Sequence, residues 1–218
     1  MPGTAVPDPT LQRLSLYHCY LTELQRVAAP TEITSRALAE ELELTEETVR
    51  RDLSFVGNFG KPGSGYDLEA LMEALTGYLG LTPGPYPILM VGTAEMLGAM
   101  RTVFPAGLYG VKPTAYFSEL PDDAGTVIDD ITVRHLSDIP RIDPALGVNV
   151  ALVACSPSWA QVALDLLGQA SVTGVLLLTP IIRLHVPEGM NITKLRMPCD
   201  IKSLACRCQV PLRRQAAE

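Results

Sequence analysis

The chain has 218 residues, of which 47% are hydrophobic and 19% charged. That is enough apolar matter for one large core or two small ones, and it excludes disorder. A net charge of −7 excludes an evenly basic surface made to coat nucleic acid, while leaving room for a local basic patch. No apolar run reaches the length of about 18 residues that a membrane span needs. Residues 1–10 have neither the basic start nor the apolar stretch of a signal peptide. Five cysteines, an odd number without a CxxC pair, predict reduced thiols in a cytoplasmic protein with no membrane partner.

In chain order, Pro9-Thr10 predicts the start of a first helix with Thr10 as its cap, and Leu11, Leu14, Tyr17, Leu21, Leu24 and Val27 follow at helical spacing. Thr34 predicts the cap of a short helix, 35–42. Thr45 predicts that of a third, with Glu46 and Glu47 in its first turn where the helix dipole favours acids. Asp67 predicts a fourth over 68–78. Residues 80–87 hold three prolines and two glycines and read as a linker. Beyond it, apolar runs at 88–91, 114–117, 131–134, 148–154 and 174–178 alternate with helices at 96–103 and 159–168. Continuous apolar strands alternating with helices predict a parallel sheet covered on both faces. The fold class is therefore α/β, an N-terminal winged helix-turn-helix followed by a Rossmann-like, doubly wound parallel sheet. The expected domains are 1–80, a linker 81–87, 88–198, and a C-terminal helix 199–218.

Two local patterns carry chemistry. In 35–58, Ala39 is small where two helices must cross, Leu44-Thr45 makes a turn, and Val49 follows ten residues after Ala39. Glu43 stands where a turn glycine is common. The second helix then offers Thr48, Arg50, Arg51 and Ser54 to bases and phosphates. The glycine-rich stretch 57–66, with Lys61 and Tyr66, reads as a wing laid along the backbone or minor groove. The alternative is a helical hairpin whose arginines pair with Glu46, Glu47 and Asp52.

The second pattern is strand, Gly92, helix. A dinucleotide fingerprint requires G-x-G-x-x-G, and this chain has Gly92-Thr93-Ala94-Glu95-Met96-Leu97. Ala94 adds a methyl where a pyrophosphate approaches, Leu97 is bulky where helix meets strand, and Glu95 adds a negative charge. Gly98, one residue late, partly restores that packing. Ser118 stands where an acid normally holds ribose hydroxyls, with Glu119 one residue on.

Other groups point to structure. Cys206-Arg207-Cys208 and Cys199 read as small residues of a terminal helix, with a thiol switch as the alternative. His18, His135 and His185 have no partner at metal spacing, Cys155 reads as buried, and Trp159 reads as core, with stacking on a nucleotide base as the alternative. Asp122-Asp123 and Asp129-Asp130 read as solvated loop acids. No acid/base or nucleophile set points to catalysis.

The motifs Arg13-Leu14-Ser15-Leu16-Tyr17, 35–44, Thr48-Val49-Arg50-Arg51-Asp52-Leu53-Ser54 and Gly60-Lys61-Pro62-Gly63-Ser64-Gly65-Tyr66-Asp67 resemble those of the bacterial redox-sensing repressors called Rex. The resemblance continues through Val91-Gly92, Ala115-Tyr116-Phe117, Pro180, 186–189 and Asp200-Ile201, and covers about residues 7–205. It implies a homodimeric repressor with exchanged C-terminal helices that leaves a palindromic DNA operator when NADH binds. Thr48, Arg50, Arg51, Ser54, Lys61 and Tyr66 are then the DNA-contacting residues. Gly92, Thr93, Ala94, Glu95, Ser118, Ser156 and Pro157 line the NAD(H) site, and Arg13 and Asp200 join the two functions. A family Tyr-Pro pair is Phe104-Pro105 here. With two glycines replaced, the expected NAD(H) response is weakened, lost or transferred to another effector. A nucleotide-binding enzyme or a dimeric scaffold with a helical appendage is the alternative.

Overall fold

The apolar residues pack into two separate cores. The computed structural model describes residues 7–27, 30–57, 60–61, 65–81, 84–181 and 183–215. It divides into one unit of Met1–Tyr86 with Gly107–Gly110 and a second of Pro87–Ala106 with Val111–Glu218.

In the first unit, α1 (Asp8–Arg26) buries Leu14, Tyr17 and Leu21 on one face. Its cap differs from the expectation. The helix starts earlier, after Pro7, and Thr10 is buried within the first turns. Pro7, in extended conformation and with no side-chain cap, stands at the N-cap instead, and its carbonyl accepts from Thr10 N–H at 2.9 Å. Then come β1 (Glu32–Ile33), α2 (Ser35–Glu41) and α3 (Glu46–Val56). Thr34 and Thr45 accept hydrogen bonds from the backbone N–H of Ala37 and Thr48, capping α2 and α3. Strands β2 (Gly60–Lys61) and β3 (Gly65–Asp67) follow, and Asp67 caps α4 (Leu68–Tyr78) through Ala70 N–H. β3 lies between β1 and β2, antiparallel to both. Leu38, Ala39, Val49, Leu53, Leu71 and Leu75 join the α1 residues in one core. Four helices with a small sheet, its hairpin set between the third helix and the fourth, make a winged helix-turn-helix.

Strand β4 (Tyr86–Val91) opens the second sheet and begins inside the expected linker. It is followed by α5 (Ala94–Val103), β5 (Val111–Ser118), β6 (Val127–Ile128), β7 (Ile131–His135), β8 (Val150–Val153), α6 (Ala160–Gln169), β9 (Gly174–Leu177), β10 (Asn191–Lys194) and α7 (Met197–Gln215). The sheet order is β10-β9-β8-β4-β5-β7-β6. The pairs β10/β9, β9/β8, β8/β4 and β5/β7 are parallel, and β6, a short edge strand, runs antiparallel to β7. The chain winds outward from β4 through β5 to β7, then returns to β8 on the other side of β4. That reversal is the topological switch of a doubly wound fold, and ligands bind outside the strand ends there. Leu89, Val91, Phe117, Ala151, Val153, Leu164 and Leu177 form its core. Two strands were not anticipated. β6 is two residues long, and Asn191-Ile192-Thr193-Lys194 has a single apolar residue, because an edge strand pairs on one side only. No described helix is long and apolar enough to cross a membrane.

Candidate functional site

The outward face of α3 carries Glu47, Arg50, Arg51 and Ser54, all exposed, while Val49, Asp52 and Leu53 turn inward. This follows from the 3.6-residue period. The Arg50 guanidinium bonds the Glu46 carboxylate one turn back and donates to Ser35 Oγ at 3.3 Å, which leans it toward the start of α2. Arg51 makes no ion pair among the described residues, and Ser54 Oγ donates to the Arg51 carbonyl at 2.6 Å. Thr48 is half-buried, its hydroxyl 2.7 Å from that of Thr45. In the wing, the half-buried Tyr66 pairs in register with Ile33 on one side and Gly60 on the other, and the backbone of Lys61 pairs with Gly65. Gly65 has φ +90°, and a Cβ there would lie 2.7 Å from the Ile33 carbonyl oxygen, so only glycine closes this hairpin. Asn58, Phe59 and the wing tip Pro62, Gly63 and Ser64 lie outside the described residues.

On the inner face of α3, Asp52 is buried, and Arg13 reaches it from α1 with two hydrogen bonds of 2.6 and 2.8 Å. The Tyr17 hydroxyl donates to Asp52 at 2.8 Å. Burial works against the Asp52 charge, but these hydrogen bonds outweigh it and hold the carboxylate below its usual range. Burial and the bond to Asp52 push the Tyr17 phenol up. Arg13 thus braces α1 against α3. Asp200 is exposed in the first turn of α7.

At the carboxyl ends of β4, β5 and β8, Gly92 closes the strand, and its missing Cβ would sit 3.4 Å from the Ala154 carbonyl oxygen. Thr93 caps α5 by accepting from Met96 N–H at 3.2 Å. The start of α5 is not open. Ala94 N–H, the first of the helix, donates to Asp123 Oδ2 at 2.8 Å, and Ser118 Oγ donates to the same oxygen at 2.5 Å. Asp123, expected as a solvated acid, is half-buried, because the 3₁₀ turn Pro121–Asp123 folds it back onto α5. Ser118 is fully buried and committed to Asp123. Glu119 is 3% exposed, and its Oε1 accepts from Ser156 N–H at 2.9 Å. Glu119 Oε2 is buried without a hydrogen-bond partner among the described residues. Burial and the nearby Glu119 charge push the Cys155 thiol up to about 11. Glu95, Ser156 and Pro157 are exposed. So is Trp159, which was expected in the core but sits at the rim, just before α6. Gly98 faces open space and restores no packing, and Leu97 fills the contact beneath α5 instead.

Residues 5–54 match a family described as "Putative DNA-binding protein N-terminus". The redox-sensing transcriptional repressor Rex of Streptomyces griseus is 32% identical over 200 residues, 92% of this chain and 78% of that one. The chain belongs to the Rex family. Among solved structures, RSP, a Rex-family repressor, matches with a TM-score of 0.78 at 25% identity, over 98% of this chain and 99% of that one. RSP in complex with β-NAD+ and operator DNA matches with a TM-score of 0.79 at 24% identity, covering 98% and 97%.

A dinucleotide in a Rex-family crevice of this fold needs free N–H groups at the α5 start for its phosphates. Here Asp123 takes the Ala94 N–H at that start, and Glu119 takes the N–H of Ser156, just past β8. As they stand, these residues do not fit a diphosphate. The sequence pattern pointed to the Gly92 loop and to Glu119, one residue past the place of the ribose-holding acid, but read Asp123 as a solvated loop acid. Asp123 has no signal of its own beyond the Pro121 that starts its turn.

Proposed function

We propose that this chain is a homodimeric transcriptional repressor of the Rex type, acting in the cytoplasm on a palindromic DNA operator, and not an enzyme. Residues 1–80 read DNA, 88–198 form the ligand-responsive domain, and the helix in 199–218 is exchanged between subunits. What carries the reading is an outward α3 face bearing Arg50, Arg51 and Ser54, held by a buried Asp52–Arg13–Tyr17 brace, in a chain of the Rex family. Arginines on such a face pair with guanine, and the wing residues Lys61 and Tyr66 add backbone contacts. Arg13 and Asp200 connect the operator-reading and ligand-responsive parts. Family membership makes NAD(H) the effector class to test first. The Gly92–Leu97 loop supports a response weaker than that of a glycine-complete relative. The deciding experiment is fluorescence anisotropy with a labelled palindromic operator and a scrambled duplex of equal length. Selective binding at physiological salt is expected, and equal binding to both duplexes would overturn the reading.

A further inference from the structure

We propose that Asp123 and Glu119 determine the ligand specificity of the crevice, standing in for a ligand's phosphates and excluding diphosphate-bearing nucleotides. The inference rests on the crevice being the ligand site of a Rex-type repressor. The sheet order is β8-β4-β5, so β4 lies between the strands that end at Ser118 and at Val153. Glu119, just past β5, bonds the N–H of Ser156, just past β8. Its side chain therefore spans from the end of β5 to the end of β8, across the end of β4 that lies between them. Asp123, from beyond β5, takes the first N–H of α5. A helix N-terminus attracts an anion, and here the chain supplies its own.

Two observations separate this from ordinary capping. Thr93 already caps α5 through Met96 N–H, so Asp123 fills a further donor of the kind that serves phosphate. Glu119 is almost wholly buried, yet its Oε2 has no hydrogen-bond partner among the described residues. A buried carboxylate oxygen left open repels an incoming phosphate. The charges that a diphosphate would bring are thus opposed at the start of α5 and between the ends of β5 and β8.

The test uses full-length protein in an Ala94→Gly background, so that the missing loop glycine does not mask the effect. NADH, ADP and adenosine are titrated by calorimetry and by fluorescence of the single tryptophan, Trp159, at the crevice rim. Ala94→Gly alone is expected to leave NADH and ADP binding weak. Adding Asp123→Ala and Glu119→Gln should raise the affinity for both at least tenfold. Adenosine, which has no phosphate, should change less than twofold. No gain in ADP affinity, or an equal gain with adenosine, would overturn the proposal, as would a full gain from Ala94→Gly alone. If circular dichroism shows that Asp123→Ala unfolds, the isosteric Asp123→Asn with Glu119→Gln removes the charges and keeps the shape. The same tenfold criterion then applies. Operator binding by the wild type is measured separately. Its failure would sink the repressor reading, whereas the ADP-to-adenosine comparison judges the two acids alone.

Discussion

Glu43 holds φ 54° in the turn between α2 and α3, where Leu44 N–H closes on the Ala39 carbonyl at 2.9 Å. A side chain in this left-handed region costs roughly 1–2 kcal/mol relative to glycine, while glycine loses about 0.5–1 kcal/mol more chain entropy on folding. Glu43→Gly is therefore expected to stabilise the chain by about 0–1.5 kcal/mol in urea denaturation. A destabilisation instead would mean that the carboxylate has a task of its own. Asp52 is the opposite case. Asp52→Ala leaves Tyr17 and Arg13 without their shared acceptor, but Arg13 keeps 28% side-chain exposure and water can partly replace it. The expected cost is about 2–3 kcal/mol. Because the folded carboxylate is held below its usual range, its stabilising effect is complete above the unfolded value of about 3.9. The effect is lost as pH falls through the lower folded value. Urea midpoints should thus fall below about pH 4 in the wild type and change less there in Asp52→Asn.

At the scale of elements, α3 and α7 expose surfaces that their own unit does not cover. On α3, Arg50→Ala or Arg51→Ala should each weaken specific operator binding by about 1–3 kcal/mol for every base that the arginine reads. Arg50 is already tied to Glu46, so Arg51 is expected to show the cleaner effect. Lys61→Ala should weaken all duplexes alike and reduce the salt slope by about 1, read from anisotropy at several salt concentrations. On α7, Met197, Ile201 and Leu204 recur at helical spacing and are all more than half exposed. Such a stripe needs a partner surface. A chain ending at Pro198 is expected to give monomers or aggregates in light scattering, and a clean folded monomer would contradict the exchange. The caps were legible for α2, α3 and α4, because Thr34, Thr45 and Asp67 act on amides only three residues away. β10 was not, because the pairing of Asn191–Lys194 with Gly174–Leu177 is a tertiary fact.

For the whole molecule, the combined changes at Ala94, Glu95 and Leu97 predict NADH affinity at least ten times weaker than in a glycine-complete relative, or about 1.4 kcal/mol. Operator occupancy should change little on adding NADH. Micromolar NADH binding with release from DNA would place the protein among the ordinary redox sensors. Sequence by itself determined the two-part architecture, the recognition helix and the altered glycine loop. Each depends on spacing along one segment: the 3.6-residue period, the run of apolar strand residues, the fixed order of a turn. Tertiary structure alone decided where the acids go. Arg13 meets Asp52 across 39 residues, Asp123 meets Ala94 across 29, and Glu119 meets Ser156 across 37. A carboxylate's partner is set by which strand ends the winding order brings together, and in this sheet that order turns back between β4 and β8, at the crevice itself.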